Sequence, residues 1–315
     1  MKKILYAIVA AALFAAVDAF AGNDEISIYS LDNLPAKVYY TSTAPITQGN
    51  DCRTAVILIH GWNGGVKSHK TCIPLKKSLG EGVYLIAPHF PTHLAMEKHK
   101  TAEDGRAMWN DSWQKNLSKL GRALDDWRGG GDARGTTLSS FDVIDSIFTI
   151  LGDKKLYPKL KNVTLMGFSA GGQFVGRYVA VGRGFVRKGV KINYIALSPS
   201  TQLRFEPDMP WHYGLAGRPR YSAGLSEKEI MHNLETRPTL HGCGTADVGP
   251  KSLDVSPEAM HQGENRYDRC QKLEKHIAGY PKWNRKVKFH YFEGVAHEAG
   301  KAYADPVVIN RILRK

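Results

Sequence analysis

The chain has 315 residues, with 43 Lys and Arg against 30 Asp and Glu, a formal charge of +13. That length fits one large α/β domain or two small ones, and with no Ser/Pro linker, internal repeat or low-complexity tail in the sequence, one is expected. The basic residues are scattered, without a dense tract or aromatic stripe, which argues against nucleic acid and leaves a general attraction to acidic surfaces or polymers.

The N-terminal residues read as an export signal. Lys2-Lys3 precede an apolar run over 4–17 and a small-x-small site at Ala19-Phe20-Ala21, so a mature chain from Gly22 with charge +12 is expected. No run reaches the roughly 20 apolar residues of a membrane span. A periplasmic or extracellular protein without stable membrane insertion follows. In that oxidising setting the four cysteines suggest disulfides, Cys52 with Cys72 and Cys243 with Cys270. The second pairing joins a strand residue to the helix expected to cover it. The first is less comfortable, because Cys52 precedes a strand while Cys72 lies along the helix after it. No Cys-x-x-Cys spacing suggests zinc.

Residues 55–60 form a continuous apolar run ending in His60-Gly61-Trp62-Asn63-Gly64-Gly65, as in a parallel strand covered on both faces. A short helix over 68–79 stops at Gly80, and a strand over 83–87 ends before Pro88 and Pro91. A polar stretch over 93–128 has a helical pattern near 112–127 and leads into Gly129-Gly130-Gly131. A helix over 141–151 follows, then a strand over 163–166 enters Gly167-Phe168-Ser169-Ala170-Gly171 and a helix over 173–181. The strand over 192–197 ends at Ser198, and 201–236 reads as an irregular aromatic insertion, a lid or pocket wall. A strand over 239–243 delivers Gly244-Thr245-Ala246-Asp247, a helical pattern covers 257–278, and a last strand over 287–292 reaches His297 before a helix over 306–313. Strands alternating with helices predict an α/β fold with a mainly parallel central sheet, whose reactive groups collect at the carboxyl ends of the strands.

Three residues stand just past such ends. Gly-x-Ser-x-Gly between strand and helix marks Ser169 as a nucleophile on a sharp turn. A serine hydroxyl needs a base and an orienting acid, for which His297 and Asp247 are the candidates, with Asp254 and Glu258 as rivals for the acid. The backbone N–H groups of Ala170 and Trp62 are the candidate oxyanion donors. Ser198, Trp211 and Tyr213 are pocket candidates. His60 is expected to brace its loop. His89 and His93 are spaced i, i+4, but Pro91 between them argues against a helical metal site. Trp109, Trp113 and Trp127 read as anchors rather than groove residues.

His60-Gly61, Gly167-x-Ser169-x-Gly171, Asp247 and His297, in that order, resemble the α/β-hydrolase superfamily over about residues 50–315. Gly-Phe-Ser-Ala-Gly-Gly with Trp127-Arg-Gly-Gly-Gly131 is similar, more weakly, to secreted esterases of the polyhydroxyalkanoate depolymerase and feruloyl esterase type. The resemblance implies ester hydrolysis through an acyl-serine, a small-molecule or polymeric ester as substrate, and no cofactor. The chain lacks that type's linker and polymer-binding module. A peptidase or amidase on the same fold, and a non-catalytic binding protein, are the alternatives.

Overall fold

The computed structural model describes residues 26–62, 68–80, 82–101, 104–110 and 126–314. The expected leader, Trp113 and nearly all of the 112–127 helical pattern lie outside them. Among the described residues the strands are β1 (Ser27–Leu31), β2 (Val38–Ser42), β3 (Thr54–Ile59), β4 (Val83–Pro88), β5 (Asn162–Phe168), β6 (Lys191–Leu197), β7 (Thr239–Gly244) and β8 (Val287–Phe292). The helices are α1 (Ser68–Leu79), α2 (His93–Lys98), α3 (Ser140–Gly152), α4 (Ala170–Val181), α5 (Glu227–Thr236), α6 (Pro257–Gln262), α7 (Arg266–Ala278), α8 (Pro281–Asn284), α9 (Ala299–Ala304) and α10 (Pro306–Leu313).

One sheet runs in the order β1-β2-β4-β3-β5-β6-β7-β8. The strands from β3 onward pair in parallel, and β1 and β2 add an antiparallel edge. β3 is buried along its whole length and alternates between two cores. Ala55, Ile57 and Ile59 face the core under α3, α4, α5 and α7, while Val56 and Leu58 face the smaller one under α1, α9 and α10. A strand covered on both faces carries no polar alternation, which is why its sequence is continuously apolar.

Register sets the functional end. Ile59 pairs with Gly167, so the His60 loop stands beside the serine turn. Gly244 pairs with Phe292, so the loops bearing Asp247 and His297 leave the sheet as neighbours.

Three expectations are corrected. The insertion is irregular only up to its last ten residues, which form α5. Ser226 caps that helix in a capping box with Glu229, and Ile230 and Leu234 fill the core. The 257–278 pattern is two helices, parted at Gly263 with φ 146°. All four cysteines are free thiols. Cys52 packs on the larger core and Cys72 lies in the smaller one, so the sheet stands between them and bars a bond. Cys243 on β7 and Cys270 on α7 are neighbours, and the Cys243 thiol together with burial pushes the Cys270 thiol up.

Trp109 and Trp127 are fully buried around Phe90, the anchoring arrangement. His89 bonds Thr41 at 2.7 Å, while His93 begins α2 and faces Glu97, so the two histidines do not share a helix.

Candidate active site

β5 ends in a turn where Ser169 takes φ 59° and ψ −119°, a conformation few L-residues adopt. Its N–H donates to the Leu197 carbonyl of β6 at 2.8 Å, and its carbonyl accepts from Gln173, which fixes the turn to sheet and helix at once. Glycine is required on both sides. A Cβ on Gly167 would collide with the Gly171 backbone, and one on Gly171 with the carbonyls of Ile59 and His60. Ala170 is the first residue of α4, so its N–H is among those left without an intrahelical acceptor.

Ser169, His297 and Asp247 come together. His297 Nε2 lies 3.0 Å from Ser169 Oγ, and its Nδ1 lies 2.7 Å from Asp247 Oδ2. With Asp247 as acceptor, Nδ1 carries the proton and Nε2 is left as acceptor for the serine hydroxyl. The imidazole side chain is 29% exposed and the carboxylate 1%, so the dyad meets solvent through its histidine and not through its carboxylate. The Phe168 ring packs against the imidazole with centroids 4.7 Å apart. Asp254, the rival acid, instead accepts from the Tyr213 hydroxyl at 2.8 Å.

The loop after β3 is held from beneath. His60 is fully buried; its Nδ1–H donates to the Gly61 carbonyl at 2.7 Å and its Nε2 accepts from the Phe90 N–H at 3.0 Å. Burial pushes its pKa down to about 4, so it stays neutral and serves as a brace. The Arg128 guanidinium lies 5.1 Å over the Trp62 ring and is itself paired with buried Asp126. A Cβ built on Gly61 would stand 4.0 Å from the Phe168 carbonyl oxygen, so this loop runs alongside the serine turn.

The pocket candidates diverge. Trp211 is buried, with Nε1 donating to the Gly129 carbonyl at 3.0 Å. Ser198 is buried at the end of β6, its Oγ 3.8 Å from Cys243 Sγ. Tyr213 is half-buried and bonded to Asp254 and Ser256. The insertion is tied down on both sides, by Trp211 and by the Gln262 side-chain amide, which accepts from the Gln202 backbone N–H and donates to the Gln202 carbonyl.

Sequence reasoning missed Arg266, which reaches Asp247 Oδ1, and Phe168 and Arg128, which pack on His297 and Trp62. Phe168 alone carried a signal, being the variable residue inside the serine motif. Among the described residues no group of three or more His, Cys, Asp and Glu could hold a metal ion.

Six parallel strands, an antiparallel edge and this turn define the α/β-hydrolase fold, and solved structures share it. A poly(3-hydroxybutyrate) depolymerase from Bordetella parapertussis superposes with TM-score 0.64 at 17% identity, over 91% of this chain and 94% of that one. A poly(aspartic acid) hydrolase from Sphingomonas sp. KT-1 gives 0.61 at 19% identity, over 88% and 94%. An S-formylglutathione hydrolase from Agrobacterium tumefaciens gives 0.50 at 11% identity, over 92% and 95%. No protein-family model and no curated protein matches the chain.

Proposed function

We propose that this chain is an exported serine hydrolase that cleaves carboxylic esters through an acyl-serine intermediate. The relay from Ser169 through His297 to Asp247, at 3.0 and 2.7 Å, carries the reading. His297 Nε2 takes the hydroxyl proton as Ser169 Oγ attacks the ester carbonyl. The oxyanion falls to the N–H groups of Ala170 and Trp62. Collapse breaks the ester C–O bond, and the alcohol leaves with the proton from His297. Water, deprotonated by the same imidazole, then releases the acid and restores the serine. No step calls for a cofactor.

Ser198, Trp211 and Tyr213 belong to the pocket wall in this reading, with the anchored insertion excluding water from the serine. Export rests on the leader-like first 21 residues. Amide cleavage is the second outcome to test: one neighbour in fold is named for a polyamide, and the charge of +12 expected after removal of the leader suits an anionic polymer.

Incubation with a fluorophosphonate should add a single adduct by intact mass, lost in Ser169→Ala. The wild type should turn over p-nitrophenyl esters faster than the matching anilides. No adduct on folded protein overturns the serine mechanism; faster anilide cleavage replaces esterase by amidase.

A further inference from the structure

The catalytic carboxylate of the proposed reaction is held by a second buried charge. Arg266 opens α7 with its side chain 1% exposed, and Nη1 lies 3.4 Å from Asp247 Oδ1, the oxygen that His297 does not use. The same guanidinium donates to the carbonyls of Lys251 at 2.9 Å and Ser252 at 2.8 Å, with Gly249 at 3.4 Å. One side chain therefore gathers the loop from 247 to 252 and faces its carboxylate.

We infer that Arg266 is a positioning residue for the reaction: it fixes the rotamer of Asp247 and so the direction in which Oδ2 meets His297. The carbonyl bonds hold the guanidinium and the loop together, and the contact to Oδ1 sets where Oδ2 points. The other charged or titratable groups around the pair are Cys243 on β7, Asp268 and Arg269 on α7, Asp254 in the loop, and Glu298 beside His297. Arg269 is engaged with the carbonyls of Gly263, Ser200 and Asp254, and Glu298 with Lys301, so none replaces Arg266.

The inference rests on the serine mechanism proposed above, and the fluorophosphonate adduct of the wild type checks that mechanism separately. The test is kcat and KM on p-nitrophenyl acetate for wild type, Arg266→Met and Arg266→Lys, with folding checked by near-ultraviolet circular dichroism. Arg266→Met should lower kcat on the order of 10²-fold with KM little changed. Arg266→Lys keeps a cationic donor but not the planar fork that spans the carboxylate and two carbonyls, so it should recover only part of that loss. In an Asp247→Asn background, Arg266→Met should add less than about threefold, since the residue acts through that carboxylate.

A folded Arg266→Met enzyme with kcat within about threefold of the wild type overturns the positioning role. If Arg266→Met does not fold, a folded Arg266→Lys enzyme with an unchanged kcat overturns it equally. A full 10²-fold loss in the Asp247→Asn background overturns positioning through Asp247.

Discussion

Ser169 at φ 59° is strained, and the strain persists because its neighbours leave it no other place. Gly171 lets α4 start directly against the end of β3, since any side chain there meets the carbonyls of Ile59 and His60. Gly176, one and a half turns further along α4, meets nothing within 4 Å. The two glycines should therefore respond oppositely to the same substitution. Gly171→Ala should lower kcat/KM by on the order of 10²-fold or more, because a displacement of about 1 Å at the nucleophile costs that much. Gly176→Ala should leave kcat/KM unchanged and stabilise the fold by about 0.5–1 kcal/mol, the helix-interior gain of alanine over glycine. Steady-state kinetics and urea midpoints on both variants decide; equal effects would show that the close approach at Gly171 is not what matters.

At the scale of elements, helix ends are closed by side chains that the sequence does not advertise. The C-terminal carbonyls of α4 are taken by Arg237, which donates to those of Tyr178 and Val179, and by Asn233, which donates to Ala180. The tail of the aromatic insertion thus becomes a helix whose end buttresses the serine helix. Arg187 does the same for α3, donating to Leu151 and Gly152. At the start of α3, Ser139 accepts from Phe141, donates to Gly130 at 2.7 Å and is fully buried, whereas the equivalent cap of α5, Ser226, is exposed. Ser139→Ala should cost about 2 kcal/mol, a lost cap plus an unsatisfied buried carbonyl, and Ser226→Ala no more than roughly half of that. Urea denaturation compares them, and a cost for Ser226→Ala equal to that of Ser139→Ala would reject the burial argument.

For the whole molecule, the excess of cations is partly internal: Arg177, Arg266 and Arg269 are fully buried on backbone carbonyls and polar side chains. Acid stability follows from buried histidines instead. His60 and His241 are both lowered by burial to about 4, against an ordinary value near 6.5. Between those values the unfolded chain binds protons that the folded chain refuses. Stability therefore falls as pH drops from about 6.5 to 4 and is unaffected by these groups above 6.5, by up to about 3 kcal/mol for each histidine. Chemical denaturation at pH 7, 5.5 and 4.5 measures the slope. His241→Phe, which retains the stacking on Phe289, should remove up to about 3 kcal/mol of the decline. A flat profile in the wild type would exclude buried neutral histidines as its cause.

The order of strands and helices, the serine turn and its two partners in sequence were readable because each is a local pattern. A both-faces-buried strand is continuously apolar, and Gly167 and Gly171 mark a close approach wherever they are met. The edge strands β1 and β2 were not readable: β1 is only partly covered, and β2, though mostly buried, carries Tyr, Thr and Ser rather than a continuous apolar run. Nor was α5, whose polar exposed face hid the two apolar residues that anchor it. Cysteine spacing suggested neighbours but carried no information on which face of the sheet each would occupy, so Cys52 and Cys72 were paired through a wall. Arg266 lies 19 residues from Asp247 inside an ordinary helical pattern, and only folding brings its guanidinium to the carboxylate. The chain by itself determines which chemical groups stand at the ends of its strands, because strand, turn and helix are written in short-range pattern. Which oxygen of Asp247 faces His297, and what charge stands behind it, is decided by α7 packing back on β7, a contact between distant segments that no local pattern encodes.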